Sequence, residues 1–317
     1  MLLRNEFPVD RFTLMLSFTR AVETGSFTAV AREMGVGQPA VSRNIAALEK
    51  HLGARLMQRS TRKLSLTPEG ERFYQEARAV LDGLNEAEAN ARGEDRPSGL
   101  VRVACATSLG SQVILPWFGE LLERYTELEM DLQIGDQYVD LIGEGVDIAI
   151  RIGTLRDSAM RARRIGSSVR VCVASAGYLE KWGEPKVPHD LKDHACIVYT
   201  LLTTGAWSFR SGDIAVTGRL KVNSIDAVYR AVHDGLGIGY GPYWLFEDAI
   251  RDGSVRVVLA DHLGEPTPIN ILYSAKRLLP RRVSMVMDFI AEKFSNEPAL
   301  NAPQFRENTA GGKTVGA

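Results

Sequence analysis

Apolar residues recur along the first 66 positions at the three-and-four spacing of amphipathic helices. Leu14, Met15, Phe18 and Val22 predict the buried face of a first helix, which Gly25-Ser26 ends. Ser26 is placed to cap a second helix, whose stripe is Phe27, Val30, Ala31 and Met34, and Gly35 suits the left-handed residue that closes it. After Gly35-Val36-Gly37 a third helix is predicted from Gln38-Pro39, with Val41, Ile45, Leu48 and Leu52 as its core stripe. Two helices across a short glycine-containing turn make the helix-turn-helix pattern. Leu56-Met57-Gln58-Arg59 and Leu64-Ser65-Leu66 then read as a hairpin with Ser60-Thr61-Arg62-Lys63 at its tip.

Thr67-Pro68-Glu69-Gly70 carries the start signals of a long helix: a capping hydroxyl, proline in the first turn and an acid beside it. Phe73, Ala77, Val80, Leu84, Ala87 and Ala91 alternate steps of four and three along it, the spacing of a heptad seam. Such a seam packs either on its own domain or on a second copy of the chain, and dimerisation is the expectation because a winged helix usually reads palindromic DNA as a pair. Gly93 to Gly99 reads as a linker.

From Leu100 the pattern changes to short apolar runs between helical stretches. Strands are expected at 100–106, 128–134, 146–152 and 169–174, with helices at 113–125 and about 139–144. A second block has strands near 195–199, 216–222 and 236–240 and helices at 224–234 and 242–251. A last strand at 269–273 and helix at 281–294 return to the first block. This alternation predicts two α/β lobes with largely parallel sheets and a cleft between them. The domain reading is 1–66 winged helix-turn-helix, 67–96 linker helix, 97–295 two-lobed domain and 296–317 a disordered tail.

Charge sharpens the first segment. The 317 residues hold 38 Lys and Arg against 39 Asp and Glu, a net charge of -1. Residues 11–67 alone hold nine cations and three anions, so +6 sits there and -7 on the remainder. On the third helix, Pro39, Arg43, Ala46 and Lys50 lie opposite the core stripe, flanked by Gln38 and Ser42. Small residues admit a groove, Gln and Arg can read base edges, and Ser bonds base or phosphate. Arg59, Arg62 and Lys63 at the hairpin tip suit a wing on the backbone or minor groove. Double-stranded DNA is the partner this implies.

Catalytic patterns are missing. The run Gly235-Leu236-Gly237-Ile238-Gly239-Tyr240-Gly241 fits GxGxxG in no register, and there is no Walker sequence, HExxH or GxSxG. His189 and His194, near Asp190 and Asp193, read as a solvated loop rather than a metal site. Cys105, Cys172 and Cys196 fall in strand-like runs, where cysteine is usually a small buried hydrophobe. No cofactor, metal or catalytic residue is expected. No run of about 18 apolar residues and no signal-peptide stretch is present, so the expectation is a cytoplasmic protein with no membrane partner.

For the cleft, Thr107-Ser108 and Asn223-Ser224 each follow a strand and open a helix, positions that suit an anion, and Arg151 ends another strand. Tyr199, Trp207 and Tyr240 are candidate aromatic walls. Each has a plainer reading as a helix cap or core residue. An anionic or aromatic small molecule is the expected effector.

Several segments resemble the LysR-type transcriptional regulators: Ala31-Arg32-Glu33-Met34, Gln38-Pro39-Ala40-Val41-Ser42-Arg43, Leu48-Glu49, Leu52-Gly53, Leu56, Arg59 and Leu66-Thr67-Pro68-Glu69-Gly70. Downstream, Leu100-Val101-Arg102-Val103, Gly145 to Gly153, Asp157-Ser158, Ala174-Ser175, Tyr178-Leu179 and Gly235-Leu236-Gly237-Ile238 are similar to the family's effector domain, and Thr126 departs from its usual proline. The resemblance implies a winged helix-turn-helix joined to a two-lobed, periplasmic-binding-protein-like effector domain. It implies a non-enzymatic regulator, a homodimer or homotetramer, with RNA polymerase as a further possible partner. Gln38, Pro39, Ser42, Arg43, Arg59 and Arg62 would meet DNA, and Thr107, Ser108, Arg151 and Asn223 would lie on effector-contacting stretches. A soluble solute receptor and an α/β enzyme are the competing readings. The basic N-terminal segment counts against the first and the missing catalytic groups against the second.

Overall fold

The computed structural model describes residues 10–58, 64–92, 97–136, 145–153, 160–202, 205–275 and 279–301. The chain forms two compact units, one built on residues 1–97 and one on most of the remainder. Among the described residues no helix is long and apolar enough to cross a membrane.

In the first unit, α1 (Arg11–Thr24) begins at Asp10, whose carboxylate accepts from the Phe12 N–H, and ends at Gly25. The Ser26 hydroxyl caps α2 (Phe27–Glu33) by accepting from the Ala29 N–H at 3.2 Å. α3 (Gln38–Leu52) follows, then β1 (Met57–Gln58) and β2 (Ser65–Leu66), paired antiparallel. Leu14, Phe18, Ala21, Val30, Val41, Ile45 and Leu48 close one core. Leu52 departs from the predicted stripe: it is 40% exposed, because α3 ends there at Gly53. The hairpin tip lies outside the described residues.

The long helix is α4 (Pro68–Ala91). The Thr67 hydroxyl caps it, accepting from the Gly70 N–H and donating to the Arg55 carbonyl at 2.6 Å. A side chain at Gly70 would put its Cβ 1.9 Å from the Leu56 carbonyl oxygen, so this turn admits only glycine.

The second unit has two lobes. In lobe 1, β3 (Gly99–Cys105) runs parallel to β4 (Leu128–Ile134) and β5 (Ile148–Ile152). The helical connection from β3 to β4 comprises α5 (Thr107–Leu109), a π-helical turn at Gly110–Ile114 and α6 (Leu115–Arg124). The other half of this sheet is antiparallel, with β6 (Met160–Ser168) on the edge, β14 (Thr267–Ser274) beside it and strand order β4-β3-β5-β14-β6. The expectation of a largely parallel sheet therefore holds for one half of lobe 1. The helix expected at 139–144 lies outside the described residues.

Lobe 2 holds β7 (Arg170–Ser175), α7 (Ala176–Trp182), β8 (Ile197–Tyr199), β9 (Ala206–Phe209), β10 (Gly212–Ala215) and β11 (Leu220–Val222). It continues with α8 (Ile225–His233), β12 (Gly239–Pro242), α9 (Tyr243–Arg251) and β13 (Val255–Val258). β7 is buried on both faces: Val171 and Val173 pack with α8 and α9, while Cys172 and Ala174 pack with Trp207 and Tyr240. The glycine-rich run serves this packing. A Cβ at Gly239 would lie 2.5 Å from Val232 and 2.9 Å from Val228, both on α8. The chain then returns to lobe 1 through β14 (Thr267–Ser274) and α10 (Arg281–Asn296). Packing extends past the expected start of the tail at Asn296, since Pro298–Leu300 forms a 3-10 turn with Ala299 and Leu300 buried.

Candidate nucleic-acid interface and effector cleft

Burial of Val41, Ile45 and Leu48 leaves the opposite side of α3 open: Gln38, Pro39, Arg43, Ala46 and Lys50 are exposed and Ser42 is half-buried. Gln38 Nε2 donates to Ser42 Oγ at 3.5 Å, and among the described residues Arg43 has no ion-pair partner. Arg59, Arg62 and Lys63 lie outside the described residues.

The acids of this segment turn inward. Arg20 Nε and Nη2 grip both Glu33 oxygens at 2.7 and 3.0 Å, and Nη1 meets Glu23 at 2.6 Å. The hydrogen bond to Glu33 leads the effects that raise the Arg20 pKa. Glu49 Oε1 accepts from the N–H groups of Leu56 and Met57 at 2.7 and 3.1 Å, fastening the first hairpin strand to α3. Asn44 Nδ2 donates to Ser17 Oγ at 2.9 Å, tying α3 to α1. All three anions of residues 11–67 are thus engaged in holding elements together, while Arg43 and Lys50 stay exposed.

The seam on α4 divides. Ala77 is buried and Phe73 packs partly on the helix-turn-helix core, whereas Val80 is 56% exposed, Leu84 40%, and Ala87 and Ala91 are open.

In the second unit, Thr107 and Ser108 stand just beyond β3, and Arg151 is on neighbouring β5, so all three share the C-terminal edge of the parallel strands. Asn223-Ser224 precede α8, and the Ser224 hydroxyl makes no capping bond. Sequence reasoning missed the two carboxylates that bond to this edge. Asp136 Oδ1 accepts from the Thr107 N–H at 2.9 Å. From lobe 2, Asp226 accepts from the Ser108 hydroxyl at 2.7 Å and from Gln112 Nε2 at 3.0 Å. Tyr199 is half-buried within electrostatic range of Asp136, Arg170 and Asp226. Burial first, then the two carboxylates, push its pKa up against the opposing pull of Arg170. Trp207 and Tyr240 are core residues rather than walls: they stack at 5.3 Å, and the Tyr240 hydroxyl donates to the Ser208 carbonyl. Arg170 lies 5.9 Å from the Tyr240 ring centroid, and burial lowers its pKa.

Arg151 is opposite Asn270 on β14, and its charge is felt at Cys105. Burial outweighs that charge and pushes the Cys105 thiol up to about 12. Asp190 accepts from the Lys186 and Val187 N–H groups, and His194 Nδ1 is 3.2 Å from the Tyr178 hydroxyl, so both serve local structure. Among the described residues no group of three His, Cys, Asp or Glu is arranged to hold a metal ion.

The family model for the bacterial regulatory helix-turn-helix protein of the lysR family matches residues 12–71, and that for the LysR substrate binding domain matches 94–295. The HTH-type transcriptional activator AaeR of Escherichia coli K12 is 30% identical, over 90% of this chain and 94% of that protein. The solved structure of CrgA, a LysR-type regulator from Neisseria meningitidis, aligns with TM-score 0.59 at 29% identity, covering 91% of this chain and 99% of that one. The full-length Vibrio cholerae virulence activator AphB aligns with TM-score 0.55 at 30% identity, covering 90% and 98%. With both of its halves matched in the order helix-turn-helix then ligand domain, the chain belongs to the LysR family of transcriptional regulators, which bind DNA through the first and a small effector through the second.

Proposed function

We propose that this regulator reads an operator through Gln38, Pro39, Ser42 and Arg43 on α3, with Arg59, Arg62 and Lys63 of the wing on the phosphate backbone. The observation that carries this is the exposed, acid-free face of α3, with Arg43 unpaired among the described residues and every nearby carboxylate engaged elsewhere. Two copies pair through Val80, Leu84, Ala87 and Ala91, giving a homodimer or the pairs of a homotetramer. The effector contacts Thr107, Ser108, Tyr199, Asn223, Ser224 and Arg151, a reading supported by the Ser108–Asp226 bond between the lobes and by the pairing of Tyr199 with Val222, and the protein acts by binding rather than by catalysis. Footprinting the purified protein on the promoter region of its own gene tests the reading. A protected, dyad-symmetric site is expected, and salt-insensitive or sequence-blind binding would overturn it.

A further inference from the structure

The Ser108 hydroxyl and the Gln112 amide are two side-chain donors of lobe 1, and one carboxylate of lobe 2 takes both. Asp226 receives Ser108 on one oxygen and Gln112 on the other, at 2.7 and 3.0 Å, from the first turn of α8. This two-oxygen, two-donor arrangement is how a protein holds a free carboxylate. Within electrostatic range of Tyr199, Arg170 is half-buried, its charged form disfavoured by burial, and among the described residues it has no carboxylate within ion-pair distance. A guanidinium kept from water in that way favours the arrival of an anion. The half-buried ring of Tyr199, in electrostatic range of both Arg170 and Asp226, adds a flat apolar surface.

We propose that Asp226 is an inter-lobe latch standing where an effector's carboxylate binds, so that the ligand is a small aromatic or planar organic acid that displaces Asp226 from Ser108 and Gln112. The ligand then accepts the lobe 1 donors, its charge faces Arg170, and Asp226 is released. The lobes lose these two hydrogen bonds between them, which gives the ligand the differential contact needed to shift a two-state equilibrium. This inference rests on the reading that the cleft of this domain is the effector site.

The experiment uses the full chain and two probes of like shape and opposite charge, benzoate and benzylammonium, with binding measured by calorimetry. Asp226→Ala removes the internal competitor, and benzoate affinity is expected to rise at least tenfold. Loss of a negative charge would also raise it, so the same change is made in a Ser108→Ala/Gln112→Ala background. Competition requires the gain to collapse there, whereas a gain of equal size would overturn the latch. Benzoate affinity unchanged by Asp226→Ala overturns it too, as does tight binding of benzylammonium that Asp226→Ala abolishes. Melting curves confirm that each variant is folded. Operator binding without any probe is measured in parallel: its loss in the parent protein would overturn the regulator reading, while the calorimetry still decides the latch.

Discussion

Glu49 on α3 accepts from the backbone N–H of Leu56 at 2.7 Å, and the same oxygen takes Met57. One carboxylate thereby sets where the first hairpin strand leaves α3. Removing it strands two partly buried N–H groups, each of which costs about 1–3 kcal/mol when left without a partner. Glu49→Ala is expected to lower the melting temperature and to weaken DNA binding although Glu49 touches no DNA in this reading. Glu49→Gln keeps an acceptor oxygen and is expected to recover part of both. Unchanged melting of Glu49→Ala would show that these bonds carry no weight.

Arg43 and the wing arginines should fail in different ways. If Arg43 reads a base, Arg43→Ala costs about 1–3 kcal/mol on the operator and little on unrelated DNA. Arg59→Ala or Arg62→Ala should weaken both alike and flatten the salt dependence by about one unit of slope for each phosphate no longer neutralised. Fluorescence anisotropy on both DNAs at several salt concentrations separates the two outcomes.

Val80 and Leu84 present large apolar side chains to solvent on one stripe of α4. Val80→Asp with Leu84→Asp is expected to halve the mass measured by light scattering and to reduce operator affinity. An assembly of undiminished mass would place the pairing surface elsewhere.

The cysteines should be silent in the native state. Burial holds the Cys105 thiol at about 12, that of Cys196 at about 11 and that of Cys172 well above its ordinary value of 9.0. Each folded pKa is raised, so the stabilisation is complete below pH 9 and is lost as pH climbs from there toward the folded values. An aromatic disulfide reagent at pH 8 should release almost no thiolate from the native protein and three equivalents after denaturation, matching the 3 Cys of the sequence. Fast labelling of a native thiol would contradict this burial.

What could be read in advance was whatever repeats locally. The three-and-four steps around Val41, Ile45 and Leu48 placed α3 and its open face, and Ser26 and Gly35 marked the ends of α2. β6 was missed because an edge strand needs no apolar alternation: Arg161, Arg163 and Arg164 are exposed, and Arg163 pairs with Asp288. Asp226 was missed for another reason. It looks like an acid in the first turn of a helix, and its partner Ser108 is 118 residues away. Trp207 misled because a large aromatic serves a core as readily as a ligand. The anions of residues 11–67 entered only as a subtraction from the charge count, whereas their geometry is what leaves α3 positive.

The two crossings between the lobes run side by side: Ser168, the last residue of β6, is in register with Thr267, the first of β14, and Ser167 with Pro268. Paired strands resist sliding and splaying but tolerate rotation about their common line. We predict that a hinge angle is the softest coordinate between the lobes, so that effectors of different shape that set the same angle would send the same signal.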